Sequence, residues 1–171
     1  MGLGVIAVDM NPAAVGFGVP GVVKEIISTI DIPAILETAK KHQIDGIITL
    51  ASDMPMQSVA VVSHEMGLVG ISKDTALKAT NKAFMRDALK KAEVPVPLYF
   101  RVNGKEAFID AVEKVKAAGY KCIVKPADNS GSRGVDLLKD GTDLNAAYEY
   151  TARYSRSGEI VVEEFMEGSE V

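Results

Sequence analysis

The stretch Ile123-Val124-Lys125-Pro126-Ala127-Asp128-Asn129-Ser130-Gly131-Ser132-Arg133-Gly134-Val135 constrains this chain more than any other. Its apolar, β-branched start reads as a strand that ends in a lysine. A turn-rich loop of small residues follows, and a second strand begins at once. With no helix between them, the two strands form a hairpin. A Walker A loop needs Gly-Lys-Ser/Thr leading into a helix, and that order is absent. A glycine-rich hairpin can instead lie over phosphates as a flap. Its backbone N–H groups are free, and small side chains let them come close. Lys125 then supplies a point charge from beneath. The competing reading is an ordinary hairpin with a mobile tip.

Two further stretches carry candidate chemistry. In Val161-Val162-Glu163-Glu164-Phe165-Met166-Glu167-Gly168-Ser169-Glu170, strand alternation puts Glu163 with Val161 and Phe165, and Glu164 with Ile160, Val162 and Met166. Each face then mixes apolar residues with a carboxylate, which is costly if both faces are buried. Such a carboxylate needs a donor, for example an adenine amino group or a ribose hydroxyl. An edge strand with solvated glutamates is the alternative. In Ala79-Thr80-Asn81-Lys82-Ala83-Phe84-Met85-Arg86, Lys82 falls in the first turn of a helix. The helix dipole disfavours a cation there, so a nearby anion would compensate; a solvated lysine is the plain alternative.

Around these stretches the pattern is α/β. Strands are expected at 5–8, 22–28, 46–50 and 68–70. Helices are expected after Asp31 as N-cap, with Ile32, Ile35, Leu36 and Ala39 on one face, and at 55–66. Short strand-helix-strand units of this kind predict a parallel sheet. Beyond residue 72 a helix carries Phe84, Met85, Ala88, Leu89 and Ala92 on one face, with Arg86, Lys90 and Lys91 opposite or flanking. Val94-Pro95-Val96-Pro97 ends it as a stiff connector and the best domain punctuation in the sequence. Strands follow at 98–102, 120–124, 135–138 and 159–165, with a helix whose apolar face is Ala107, Phe108, Ala111, Val112 and Val115 and which Gly119 stops, and another at 143–155. Asn103 and Glu106 resemble a capping box for the first of those helices.

Charge is segregated. Residues 1–70 carry net −4, 71–139 net +6 and 140–171 net −6. A basic block between acidic ends suits an anion site, although exposed helical lysines give the same count. The overall −4 argues against general nucleic-acid binding. No apolar run reaches the ~18 residues of a membrane span. One cysteine, no signal-peptide pattern and a mixed composition predict a cytoplasmic protein. His42 and His64 lack clustered partners and read as surface helix residues. Cys122 reads as strand packing. Asp9 could bind a ribose in a dinucleotide fold, but no Gly-x-Gly-x-x-Gly turn precedes it. Ser52-Asp53, at a strand end, suits either an acceptor-substrate role or a helix N-cap.

Together, "ATNKAFMRDALKKAEVPVP", "CIVKPADNSGSRGV" and "IVVEEFMEGSEV" resemble the ATP-grasp superfamily in order and separation, closest in character to its carbamoyl-phosphate-synthase-like group. The resemblance implies a Rossmann-like parallel-sheet pre-ATP-grasp domain over 1–79. An incomplete ATP-grasp domain over 80–171 follows, with an antiparallel lid at about 98–165. It also implies that Lys82 and Lys125 contact nucleotide phosphates. Ser130, Gly131, Ser132, Arg133 and Gly134 would cover those phosphates. Glu163, Glu164, Phe165 and Met166 would line the adenine, with Glu170 on the ribose. Family members use Mg-ATP to activate a small carboxylate as an acyl phosphate, which a nucleophile then displaces. On the same resemblance, the first strand of the usual first domain would be missing here. The magnesium ligands and catalytic residues of the family would lie beyond Val171, so no metal site is assigned within the chain. The expectation is a catalytically incomplete ATP-binding fragment, with exposed sheet edges that favour self-association into a homo-oligomer. A non-catalytic nucleotide-binding module, one chain of a split enzyme, and a NAD-dependent Rossmann protein are the alternatives.

Overall fold

The β-branched run at residue 5 forms β1 (Val5–Val8), which pairs in parallel with β2 (Val22–Glu25), Val5 opposite Val22. The computed structural model describes residues 2–169, and these divide into two units between Ala76 and Leu77. In the first unit Asp31 caps α1 (Ile32–His42) by accepting the Ala34 N–H at 3.2 Å. Gln43 ends that helix in the left-handed region, at φ 50°. Ile35 and Ala39 of α1 pack on Val62 of α2 (Met56–Glu65), with Val8, Ile27, Ile44 and Ile47 around them. Helix α2 starts at Pro55 without a side-chain cap, so Ser52-Asp53 is not its N-cap.

Residues 46–50 and 68–70 are not strands, and β2 ends at Glu25 rather than Ser28. A β-branched run becomes a strand only against a ladder partner, because an isolated extended segment leaves its backbone groups unpaired. Among the described residues, β1 pairs with β2 alone and the 46–50 segment pairs with neither. Ile48 and Leu50 are accordingly 76% and 80% exposed.

The second unit is built on an antiparallel sheet. Helix α3 (Lys73–Thr80) straddles the division, and α4 (Lys82–Lys91) follows. Then come β3 (Tyr99–Asn103), α5 (Lys105–Ala117), β4 (Cys122–Pro126), β5 (Asp136–Leu138), α6 (Leu144–Arg153) and β6 (Glu159–Glu164). The strand order is β3-β6-β4-β5, so the last strand in sequence lies inside the sheet. The expected α/β class therefore holds, with a small parallel sheet first and an antiparallel sheet second.

One sheet face is the main core. Val102, Cys122, Val124, Ile160 and Val162 meet Phe108, Val112 and Val115 of α5 and Ala147 of α6. Phe108 stacks edge-on to Tyr148, with ring centroids 5.5 Å apart. The Asn103–Glu106 capping box does not form: Gly104 is the N-cap of α5, at φ 93°, while Asn103 stays in β3 opposite Glu159. The positive φ suits glycine and turns the chain before an asparagine cap could act.

Burial decides which apolar residues matter. Ile160→Ala removes a fully buried side chain and should cost about 2–5 kcal/mol. Ile48→Ala should change stability by less than about 0.5 kcal/mol. Urea denaturation followed by circular dichroism measures both.

Candidate functional site

The second sheet face carries the candidate chemistry. Direct pairing puts Glu163 beside Tyr99 and Ile123, and Val161 beside Arg101 and Lys125. These side chains share the face opposite the main core, because neighbours directly across a ladder point the same way. Val161 packs there with Ala83 of α4 and with Ala127. Since β6 is interior and both faces are covered, Ile160 through Glu163 are all buried. The edge-strand alternative with solvated glutamates is therefore not what the chain adopts.

Glu163, with a side chain only 3% exposed, needs donors. Arg86 of α4 supplies two: Nε to Oε2 at 2.9 Å and a terminal nitrogen to Oε1 at 3.2 Å. Lys125 Nζ, a diagonal neighbour on β4, donates to the same Oε1 at 2.5 Å. Burial pushes the Glu163 carboxyl up, but the hydrogen bonds from Arg86 and Lys125 outweigh it and hold it below the usual glutamate range. One anion against two cations leaves this centre with a surplus positive charge.

The hairpin loop that follows Lys125 is tied at its base and open at its tip. Ala127 donates its N–H to Glu159 O at 3.0 Å and accepts the Lys82 N–H at 2.8 Å. Lys82 Nζ also donates to the Asn129 carbonyl. Asn81 caps α4 beneath this contact, accepting from Ala83 and Phe84 N–H at 2.9 and 3.2 Å. Asp128 accepts the Arg156 and Ser157 N–H groups at 3.1 and 2.8 Å. Its burial raises the carboxyl pKa, and those bonds bring it below the ordinary value. Asn129 donates from Nδ2 to Tyr154 O at 2.9 Å. Beyond these anchors, Gly131, Ser132 and Arg133 are exposed and Ser130 is half-buried. Gly131, Ser132 and Gly134 all take positive φ. A Cβ on Gly134 would meet Tyr154 at 2.7 Å and Pro126 at 2.8 Å, so only glycine fits there.

Thus Lys125 and Glu163 share one sheet face, while Lys82 meets Ala127 and Asn129 at the start of the loop that runs on to Ser130–Gly134. Lys82 and Arg86 are four residues apart on one face of α4. Glu164 goes elsewhere: its carboxylate points to the other side and accepts the Leu98 N–H at 2.9 Å. Phe165 donates its N–H to Lys121 O at 2.8 Å, and Met166 is 67% exposed. Glu170 lies outside the described residues. Arg86 corrects the sequence reading, which put it on the polar side of α4. Asp128 and Asn129 were visible only as turn residues, and their anchoring roles depend on the distant segment 154–157.

The other candidates are structural. Asp9 accepts the Asn11 N–H at 2.8 Å in a local turn. His42 Nε2 lies 2.6 Å from Glu25 Oε1, which also takes Lys41 Nζ at 2.8 Å, so His42 is a half-buried partner rather than a bare surface residue. Burial pushes the Cys122 thiol up to about 11, which suits packing and not nucleophilic work. Among the described residues no three His, Cys, Asp or Glu side chains gather as metal ligands.

A family model described as an ATP-grasp domain matches residues 79–171. The chain is 25% identical to the N-terminal section of the carbamoyl phosphate synthase large chain of Methanopyrus kandleri, over 98% of this chain and 30% of that protein. It is 30% identical to formate-dependent phosphoribosylglycinamide formyltransferase of Yersinia pestis, over 95% of this chain and 41% of that protein. In fold it is similar to N5-carboxyaminoimidazole ribonucleotide synthetase solved with ADP. There the TM-score is 0.70 at 17% identity, covering 94% of this chain and 40% of that one. The chain spans less than half the length of each of these relatives.

Because the folded pKa of Glu163 is depressed, its stabilisation is full above the unfolded glutamate value of about 4.3 and fades as pH falls through the folded value. Glu163→Gln should therefore lower the urea midpoint at neutral pH. The gap to the native chain should narrow as pH falls below the unfolded glutamate value and native Glu163 is protonated in turn.

Proposed function

This chain belongs to the ATP-grasp domain family, and from that premise we propose that it is the ATP-binding portion of an ATP-dependent carboxylate ligase of carbamoyl-phosphate-synthase-like type. Residues 1–79 are then the domain that precedes the ATP-grasp core, and residues 80–171 are the first part of that core. The observation that carries the reading is the surplus positive charge at Arg86, Glu163 and Lys125, set beside a loop of small residues. A triphosphate is the ligand class that such a centre attracts. Lys82 and Lys125 would exchange internal acceptors, the Asn129 carbonyl and the Glu163 carboxylate, for phosphate oxygens. The exposed tip over 131–133 would close on those oxygens through its N–H groups.

In the reaction proposed for the whole protein, an oxygen of a small carboxylate attacks the γ-phosphorus of ATP. The bond to the β,γ-bridging oxygen breaks and ADP leaves. An amine or other nucleophile then displaces phosphate from the acyl phosphate. What this chain's residues contribute is charge neutralisation and alignment. Among the described residues no three His, Cys, Asp or Glu side chains gather, so no role toward magnesium is assigned to them. A second reading is a nucleotide-binding module that supplies no chemistry of its own, since the charged centre accounts for binding alone. The parent protein is proposed to be cytoplasmic, and self-association of this chain through its unpaired sheet edges belongs to the same proposal.

Lys125→Met should weaken ATP binding at least about tenfold in isothermal titration calorimetry, the equivalent of one lost charged hydrogen bond. Unchanged affinity in a folded variant would contradict the phosphate assignment. Lys121→Met, which removes an exposed ion pair with Glu167, should bind ATP as the native chain does.

A further inference from the structure

We propose that Arg86 is a positioning residue for Lys125: its two-pronged hold on Glu163 lets Lys125 leave that carboxylate for a nucleotide phosphate. The inference rests on the reading of Lys125 as a phosphate ligand. Three observations carry it. The first is how the oxygens are shared. Arg86 reaches both oxygens of Glu163, at 2.9 and 3.2 Å, whereas Lys125 reaches only Oε1, at 2.5 Å. When Lys125 departs, each oxygen keeps a donor. The second is burial. The Glu163 side chain is 3% exposed, against 24% for Arg86 and 23% for Lys125, so solvent reaches the cations but not the anion. The third is placement. Lys125 stands two residues before Ala127, whose carbonyl takes the Lys82 N–H, so its backbone lies at the root of the loop.

Without Arg86, Lys125 would be the sole counter-ion of a buried carboxylate. Moving it to a ligand would then strand an unpaired charge, one of the costlier things a protein interior can contain. That cost would be charged to ligand binding, although no ligand contact had been lost. A lysine at position 86 would keep the charge but not the fork, since an ammonium cannot bridge both oxygens of a carboxylate as a guanidinium does.

The test is a double-mutant cycle read by calorimetric titration of the full chain with ATP in magnesium-containing buffer, with thermal melts to confirm folding. Arg86→Gln should weaken ATP binding about tenfold or more with Lys125 intact, and Arg86→Lys should recover part of that loss. In a Glu163→Gln background no buried charge is left to strand. The same Arg86→Gln change should there alter affinity by less than about twofold. A structural role, or direct contact between Arg86 and the nucleotide, would weaken binding equally in both backgrounds and overturn the inference. Native affinity in Arg86→Gln would overturn it as well. If Arg86→Gln alone does not fold, the comparison of E163Q with R86Q/E163Q decides, because unequal affinities there contradict the proposal and equal ones uphold it. Failure of the native chain to bind ATP would remove the proposed function and this inference together. Loss of binding in Lys125→Met with none in Arg86→Gln would remove the inference alone.

Discussion

A carboxylate stays ionised inside a sheet only where cations come to meet it, and Glu163 makes that demand on the whole second unit. Its strand is interior because β6 slots between β3 and β4. Both faces of β6 are covered, so solvent cannot do the neutralising. The charge must come from β4 through Lys125 and from α4 through Arg86. For Arg86 to arrive, α4 must begin where Asn81 caps it and where Lys82 meets Ala127 and Asn129. One buried anion therefore fixes a helix, a strand end and the root of a loop relative to each other.

The loop itself divides its labour along a few residues. Asp128 and Asn129 bind it to the turn at 154–157, and Gly134 closes against Tyr154 and Pro126 where a Cβ has no room. The tip at 131–133 remains exposed, with its backbone already turned to positive φ at Gly131 and Ser132. An anchored root and an open tip suit the phosphate cover proposed above. The root keeps Lys125 in place while the tip retains free N–H groups to offer.

What was legible in the sequence was what is local. Lys125, the small-residue loop, the Asp31 cap and the apolar stripes of α1 and α5 follow from residues within one or two turns of each other. What was not legible depends on partners far along the chain. Arg86 reads as an outward helix charge until Glu163, 77 residues later, is placed beside it. Glu164 reads like its neighbour until its carboxylate is found on the Leu98 N–H, 66 residues earlier. The 46–50 run has every strand-forming side chain it needs, yet remains irregular because a strand is a property of a pair. Asn103 failed as a cap for a smaller reason, since Gly104 turns the backbone first.

The Arg86–Glu163–Lys125 centre is proposed as a phosphate site whose lysine is lent rather than fixed. The most direct measurement is a crystal structure of this chain with a non-hydrolysable ATP analogue. The account predicts that Lys125 Nζ moves off Glu163 Oε1 onto a phosphate oxygen while the two-pronged Arg86–Glu163 contact stays as it is. An analogue bound elsewhere, with Lys125 still on Glu163 at 2.5 Å, would contradict it.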